Sequence, residues 1–135
     1  MPHLVAGALT GVALALLPAV PAAPAHATTL PVPGAATRLR LSLTFPEATT
    51  SGARTVTLFC RPNGGSHPDA DRACQELSAR GGKIERDPGD AVCVLIYAPV
   101  VAVAEGHWHG RPTRFKRTYA NECVMHAHTG KIFSF

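Results

Sequence analysis

The fold of this chain is decided by Leu39-Arg40-Leu41-Ser42-Leu43-Thr44-Phe45, in which apolar side chains alternate strictly with polar ones. Successive side chains of a β-strand point to opposite faces, so a period of two predicts a strand with one buried face. A second such stretch follows a loop at 46–52, where Val56, Leu58 and Cys60 alternate with Thr55, Thr57 and Phe59. The two stretches predict neighbouring strands of one half-buried sheet.

A helix is predicted beyond the second strand. Pro62-Asn63-Gly64-Gly65 favours a turn, and the helix is expected to start around Pro68, with Ser66 or His67 at its cap. Asp69 and Asp71 suit the positive end of the helix dipole, and Gly81-Gly82 is expected to end the helix. Apolar side chains recur at helical spacing on one face, which is formed by Ala70, Ala73, Cys74 and Leu77.

The rest of the chain predicts a hairpin, a short helix and a last strand. Residues 99–103 with Trp108 suggest one strand, and 113–119 alternates as its partner across the turn at 109–112. Residues 121–128 favour a short helix that carries Cys123, and 131–135 alternates as a closing strand. Strands in succession with one or two helices predict an α+β domain, an antiparallel sheet covered on one face.

The first 27 residues are predicted to be a secretory signal peptide. Residues 4–20 are nearly all Ala, Leu, Val and Gly, and Ala25-His26-Ala27 resembles a small-residue cleavage site. A membrane anchor is the alternative, but the apolar run is short for a span and is broken by Pro18 and Pro21. Residues 28–37 are rich in Pro, Ala and Thr and predict a flexible arm, which leaves one small domain at 38–135. We expect the protein to be secreted and extracellular.

All four cysteines lie in the predicted domain. Export would place them in an oxidising compartment, where cysteines in a small domain are usually paired. Four cysteines allow three connectivities, and the sequence by itself does not choose among them. A zinc site is the alternative, but the chain has no Cys-x-x-Cys pair. Two disulfides are therefore predicted, and no metal.

The formal net charge of +4 comes with one local cluster of cations. A solvated strand face explains the cluster better than a nucleic-acid patch, because aromatic side chains do not interleave with it as in a stacking platform. The chain also has two pairs of histidines that are two residues apart. If the backbone there is extended, both rings of a pair lie on one face and could bind a metal ion; the alternative is that they are exposed histidines in turns. The cluster is Arg111, Arg114, Lys116 and Arg117, and the pairs are His107/His109 and His126/His128.

Catalysis is not expected. The chain lacks a Gly-x-Ser-x-Gly elbow, a glycine-rich phosphate loop and a His-Glu-x-x-His helix. Hydroxyl, imidazole and carboxylate side chains are present, but their spacing does not assemble a nucleophile with a base. We predict no cofactor and neither a nucleic-acid nor a membrane partner.

The most informative segment for function is Val92-Cys93-Val94-Leu95-Ile96-Tyr97-Ala98-Pro99. Such an apolar run, with a large aliphatic residue flanked by residues of high β-propensity, is typical of a peptide that a subtilisin-type protease binds in extended form. A disulfide at Cys93 would tie the run to a scaffold. The alternative is an ordinary buried strand with a structural cysteine, and composition alone does not separate the two.

With these residues placed, the chain resembles the Streptomyces subtilisin inhibitor family. The resemblance covers essentially the whole predicted domain, in order and with matching gaps. It is carried by four stretches: Thr57-Leu58-Phe59-Cys60; Gly64-Gly65-Ser66-His67-Pro68 with Cys74; 93–100, which includes Cys-x-x-x-Tyr-x-Pro-Val; and Asn121-Glu122-Cys123-Val124-Met125 with Ile132-Phe133-Ser134-Phe135.

The resemblance implies a secreted, homodimeric protease inhibitor with a five-stranded antiparallel sheet and two helices. It also implies the disulfides Cys60–Cys74 and Cys93–Cys123 and a reactive bond at Leu95–Ile96. The protease-binding loop would comprise Val92, Cys93, Val94, Tyr97, Ala98 and Pro99 around that bond. The chain departs from the family pattern twice, with Val94 where proline is usual and Ala98 where aspartate is usual.

An inhibitor that binds like a substrate needs a side chain for the main pocket and a rigid backbone. Leu95 suits the apolar pockets of subtilisin-like and chymotrypsin-like enzymes and offers no cation to a trypsin-like pocket. Val92 would fill a second apolar pocket. Cys93 and Pro99 would restrain the two arms, so that the amine released at Ile96 stays in place for religation.

A second hypothesis of a different class remains open. The chain would then be a secreted binding protein for another exported protein, such as a metalloprotease or a cross-linking enzyme. Residual subtilisin activity after mixing with the purified protein separates the two hypotheses.

Overall fold

A five-stranded antiparallel sheet and two helices make up the part of the protein that the computed structural model describes, residues 36–48 and 52–135. The strands are β1 (Thr37–Thr44), β2 (Ala53–Cys60), β3 (Gly64–Gly65), β4 (Val100–Trp108) and β5 (Arg111–Tyr119), in the sheet order β3-β2-β1-β4-β5. The helices are α1 (Ala70–Ala79) and α2 (Glu122–Thr129), followed by a 3₁₀ helix (Gly130–Phe133). The predicted α+β class, the sheet and the two helices are confirmed.

The predicted signal at 1–27 and most of the predicted arm lie outside the described residues. The last residue of that arm, Thr37, begins β1 and is buried. Within the described ranges, no helix is both long and apolar enough to cross a membrane.

The central strand β1 buries one face only. Leu39, Leu41 and Leu43 are fully buried, whereas Arg38 and Arg40 on the other face are exposed. Leu39 lies opposite Gly106 of β4, and a Cβ at Gly106 would overlap the carbonyl oxygen of Arg38. Because Gly106 also has a φ of 142°, only glycine fits there without strain. The sheet therefore has an inner face covered by helices and an outer face.

Helix α1 covers the inner face with Ala73, Cys74 and Leu77, all on the predicted apolar side. It starts at Ala70, slightly later than expected, and the His67 ring supports its start. The His67 Nδ1 atom accepts a hydrogen bond from the Asp69 N–H at 3.0 Å, while Nε2 lies 3.0 Å from the Ile132 carbonyl oxygen. One buried histidine thus joins the start of α1 to the end of the chain.

The predicted closing strand at 131–135 is wrong. Gly130–Phe133 is a 3₁₀ helix, in which the adjacent side chains of Ile132 and Phe133 are both fully buried. A strand of this sheet, which is covered on one face only, would send neighbouring side chains to opposite faces and would bury only one of them. The Lys131 N–H donates to the Glu76 carboxylate at 3.1 Å, which holds this turn against α1.

The fifth strand is instead the two-residue β3, inside the segment predicted only as a turn. Gly65 pairs with Leu58 and has a φ of 94°, and a Cβ there would overlap the Thr57 carbonyl oxygen. The Thr57 N–H donates to the Ser66 hydroxyl at 2.9 Å, and the His67 N–H donates to the Thr57 carbonyl at 3.1 Å. Glycine is what lets the backbone approach β2 this closely.

Candidate functional site

The segment between residues 91 and 99 has no regular secondary structure and projects its apolar side chains into solvent. Leu95 is fully exposed, at 101% of its reference area. The neighbouring large apolar side chains are between 63% and 95% exposed: Val92, Val94, Ile96 and Tyr97. A buried strand is therefore excluded here. Burial returns at Pro99, directly before β4.

Two disulfides are present, with the pairing that the resemblance implies. Cys93 is joined to Cys123 in the first turn of α2, with their Cα atoms 5.8 Å apart. Cys60 at the end of β2 is joined to Cys74 of α1, at a Cα separation of 5.7 Å. The first bridge restrains the arm before Leu95, and the second lies at the opposite end of the sheet.

Asn121 restrains the segment on both sides of Leu95. Its Nδ2 atom donates to the Val94 carbonyl oxygen at 3.1 Å and to the Ile96 carbonyl oxygen at 2.9 Å. Its Oδ1 atom accepts from the Val124 N–H at 2.9 Å and so caps α2. A single buried amide thus joins the backbone around Leu95 to a helix end.

Residue-by-residue reasoning placed Asn121 at the start of the short helix but gave it no role at the loop. The available signal was its position directly before Glu122-Cys123, at the expected start of a helix that carries a paired cysteine. That position predicts that Asn121 caps the helix. Its contact with the Ile96 carbonyl, 25 residues earlier, depends on the tertiary fold and has no local signal.

The arm after the exposed segment is held by the backbone. The Ala98 N–H donates to the Ala120 carbonyl oxygen at 2.9 Å, directly beyond the pairing of Val100 with Tyr119. Because this bond is made by the main chain, it does not depend on the side chain at position 98. The downstream arm is therefore a continuation of the β4–β5 hairpin.

The polar stretch before the segment is anchored at two points. The Arg86 N–H donates to the His128 carbonyl at 2.8 Å, and its Nε donates to the Ala127 carbonyl at 3.0 Å, which satisfies the last carbonyls of α2. The Glu85 carboxylate accepts from the Tyr119 hydroxyl at 2.7 Å and also pairs with Arg117. Burial, together with the adjacent Glu85 carboxylate, raises the pKa of Tyr119.

The cation cluster on β5 does not form one patch. Arg117 lies in register with the buried Ala102 and pairs with Glu85, yet its side chain is 56% exposed. Arg114 and Lys116, on the opposite face of β5, are exposed as well. All four cations of the cluster are therefore exposed, as a solvated strand face requires, although they are divided between the two faces of β5.

The two histidine pairs do not form metal sites. His107 is exposed on β4, while the His109 ring stacks on Trp108 with centroids 4.2 Å apart. His126 and His128 lie on α2, where a spacing of two turns the side chains away from each other. Among the residues with described positions, no group of three His, Cys, Asp or Glu side chains is arranged to hold a metal ion.

The sequence matches the family model "Subtilisin inhibitor-like" over residues 35–121. Subtilisin inhibitor-like protein 2 of Streptomyces rochei is 46% identical over 91 residues, which are 65% of this chain and 80% of that protein. Subtilisin inhibitor-like protein 5 of Streptomyces fradiae is 42% identical over 90 residues, covering 64% and 84% of the two chains.

A solved structure shares the fold. It is that of Streptomyces caespitosus sermetstatin in complex with Bacillus licheniformis subtilisin, and it superimposes with a TM-score of 0.60 at 27% identity over 74% of this chain and 99% of that one. The relatives are named as inhibitors and not as enzymes. The family match covers most of the chain, including all five strands of the sheet and the exposed segment, and the chain therefore belongs to the subtilisin inhibitor-like family.

Proposed function

We propose that this protein is a secreted inhibitor of subtilisin-like serine proteases. It binds in the manner of a substrate through Val92–Pro99, which we name the reactive loop, with Leu95–Ile96 as the reactive bond. The observation that carries the proposal is the combination of a fully exposed Leu95 with restraints on both of its neighbours. An ordinary exposed peptide would have the same side chain without the restraints.

Binding uses the backbone and one main side chain. An extended loop adds to the edge of a protease cleft as a strand, and alternate side chains enter pockets. Leu95 fills the main apolar pocket, and Val92, which is 95% exposed, reaches a second pocket. Chymotrypsin-like enzymes, with an apolar pocket, are weaker targets, and trypsin-like enzymes are not targets because their pocket acid would stay unpaired.

Inhibition depends on the fate of the Leu95–Ile96 bond after the protease cuts it. The protease serine attacks the Leu95 carbonyl carbon, the bond to Ile96 breaks, and the protease histidine gives its proton to the departing nitrogen. The new Ile96 amine is held close by the Asn121 bond to the Ile96 carbonyl. It attacks the acyl ester, the ester bond to the protease serine breaks, and the protease histidine transfers the proton of the amine to the departing serine oxygen. The peptide bond therefore reforms faster than water hydrolyses the ester, because the effective concentration of the amine is high.

The two departures from the family pattern are compatible with this mechanism. Val94 lacks the fixed φ of proline, but its carbonyl oxygen accepts a hydrogen bond from Asn121. Ala98 lacks a carboxylate, but its backbone N–H is held by Ala120. Restraint of the loop is thus supplied by contacts that do not need either side chain.

Titration of subtilisin with the purified protein tests the proposal. We expect residual activity to fall linearly to near zero at one reactive loop per protease, and mass spectrometry to find any cleavage at Leu95–Ile96. Full activity at a tenfold excess of the protein would refute inhibition. Cleavage at another bond in the inhibited complex would refute the assignment of Leu95. A control titration with a metalloprotease tests the alternative class of partner.

We also propose a homodimer formed through the outer face of the sheet. In a two-fold interface each contact occurs twice, so a charged surface complements itself only if it carries both signs of charge. Arg40 and Glu105 lie opposite each other in the β1–β4 register on this face and are both exposed, which allows each to meet the other in a second copy. Light scattering after size exclusion is expected to give twice the chain mass. A monomer would refute the dimer and leave inhibition unaffected.

A further inference from the structure

Arg54 joins three separate parts of the chain near the reactive loop. Its Nη2 atom lies 2.5 Å from the Glu122 carboxylate, and its Nη1 atom donates to the backbone oxygen of Phe135 at 2.7 Å. The centre of the guanidinium lies 4.7 Å from the centroid of the Phe45 ring. One planar group therefore contacts the residue directly after β1, the start of α2 and Phe135.

A contribution to folding stability does not by itself account for these contacts of Arg54. The side chains of Arg54 and Glu122 are 47% and 44% exposed, and exposed ion pairs contribute little to folding stability. However, a guanidinium has a rigid fork of donors, so it fixes the relative orientation of the groups that it bonds. The contacts of Arg54 are therefore suited to fixing the relative positions of Glu122 and Phe135.

The group that Arg54 orients is the first turn of α2. Glu122 is the first residue of that helix and lies between Asn121, which bonds both neighbours of Leu95, and Cys123, which is bridged to the loop. Glu122 and Phe45 also line one surface cleft together with Ile96. A rotation of this turn would therefore displace both restraints on the loop together.

We propose that Arg54 is a positioning residue of the inhibitor, which acts through Glu122 to set how long the Leu95–Ile96 bond survives in the complex. The proposal rests on the proposed function. Displacement of reacting groups by about 1 Å can change rates by about a hundredfold, so a modest reorientation of the helix start is enough to favour hydrolysis over religation.

Three variants and one matched control test this role. Arg54→Met keeps an apolar stem over the Phe45 ring and removes both hydrogen bonds, Arg54→Lys keeps only the charge, and Arg54→Glu combined with Glu122→Arg restores an ion pair in reverse. The control is Arg38→Met, because the Arg38 guanidinium also lies over an aromatic ring, 5.0 Å from the centroid of the Phe59 ring, at the other end of the sheet. Arg38 is on the outer face proposed for the dimer, so size exclusion must show that this variant keeps the parental oligomeric state.

Each variant is incubated with a slight excess of subtilisin, well below its own melting temperature, and cleavage after Leu95 is followed by mass spectrometry. We expect Arg54→Met to be cleaved about ten to a hundred times faster than the parent. We expect intermediate cleavage for Arg54→Lys, slower cleavage for the reversed pair than for Arg54→Met, and the parental rate for Arg38→Met.

The outcomes distinguish a failure of this proposal from a failure of the proposed function on which it rests. If Arg54→Met melts at a lower temperature but is cleaved at the parental rate, Arg54 is merely structural and the proposal is overturned. If Arg54→Met does not fold, Glu122→Ala, which leaves Arg54 without its partner, serves in its place with the same expectations. If the parent itself does not inhibit subtilisin, the proposed function has failed, whatever the variants do.

Discussion

The side-chain amide of Asn121 donates a 2.9 Å hydrogen bond to the carbonyl oxygen of Ile96, the residue that would carry the new amine after cleavage. The same nitrogen holds the carbonyl of Val94 on the other side of Leu95. The two ends of a cut bond would therefore remain attached to one rigid group. Under the proposed mechanism, this attachment keeps the cut ends together and favours religation over hydrolysis.

Replacing Asn121 by Asp is expected to convert the inhibitor toward a substrate. Aspartate retains an oxygen that can cap α2 through the Val124 N–H, but it has no donor for the two carbonyl oxygens. Two hydrogen bonds of about 0.5–1.5 kcal/mol each are lost. We expect weaker binding by about one to two orders of magnitude and faster cleavage after Leu95, both measured against subtilisin.

Asn121→Ala is the companion variant, because it removes the cap as well. It should lose about 1 kcal/mol more folding stability than Asn121→Asp, while the two variants should be cleaved at similar rates. If Asn121→Asp inhibits as tightly and for as long as the parent, the two carbonyl bonds do not restrain the loop.

Leu95→Lys should move inhibition from subtilisin-like toward trypsin-like proteases. Leu95 is fully exposed and packs against nothing, so the change should alter folding stability by less than about 0.5 kcal/mol. The lysine cation would pair with the acid of a trypsin-like pocket. Inhibition constants for subtilisin, chymotrypsin and trypsin provide the measurement. An unchanged order among the three enzymes would show that another residue sets specificity.

Removing the two disulfides one at a time should distinguish an effect on restraint of the reactive loop from an effect on folding stability. Replacing Cys93 and Cys123 together by Ser frees the upstream arm, so the variant should bind subtilisin but be cut at Leu95–Ile96 and turned over. Replacing Cys60 and Cys74 by Ser is the matched control at the far end of the sheet. Both double variants should lose roughly 2–5 kcal/mol of stability.

These assays must be run at a temperature where circular dichroism shows both double variants folded. Cleavage should then be fast only for the variant without the Cys93–Cys123 bridge. Equal, slow cleavage of both variants would show that the restraint comes from Asn121 and the hairpin alone.

Much of the fold could be predicted because its signals are local. The alternation through Leu39, Leu41 and Leu43 has the period of a strand, and the buried face of β1 matches it residue by residue. Prediction failed at the end of the chain, where the side chains of Ile132 and Phe133 are buried next to each other. A short 3₁₀ turn held by a distant carboxylate cannot be distinguished from a strand by periodicity over five residues.

The functional site, like the fold, could be predicted only in part from the sequence. Apolar composition left Leu95 equally compatible with a buried strand or an exposed loop, and only the resemblance favoured the loop. The roles of Asn121 and Arg54 could not be deduced from the sequence, because the loop carbonyls that Asn121 bonds, and the Glu122 and Phe135 groups that Arg54 bonds, lie 25 or more residues away. Contacts across such separations depend on which strands pair and on where the loops between them lie, and local periodicity contains neither.

His126 should make folding stability fall as the pH drops below about 6.5. Burial lowers the pKa of His126 from its ordinary value of 6.5, with a partial opposing effect from Glu122, and its Nδ1 atom is buried without a hydrogen-bond partner among the described residues. In the unfolded chain the ring takes up a proton near pH 6.5, whereas in the folded chain it resists protonation until a lower pH. Between those two values the unfolded state binds more protons, so acidification favours unfolding.

Melting temperatures of the parent, His126→Gln and His107→Gln between pH 7.5 and 5 measure this contribution. A neutral glutamine cannot titrate, so the slope for His126→Gln should be shallower than that of the parent, by less than the single-proton ceiling of about 1.4 kcal/mol per pH unit. His107, exposed on β4, is the control, and its replacement should leave the parental slope. The cause assigned here is wrong if the parent and His126→Gln lose stability in parallel below pH 6.5. It is equally wrong if only His107→Gln flattens the curve, because the acid sensitivity would then arise on the outer face of the sheet and not on α2.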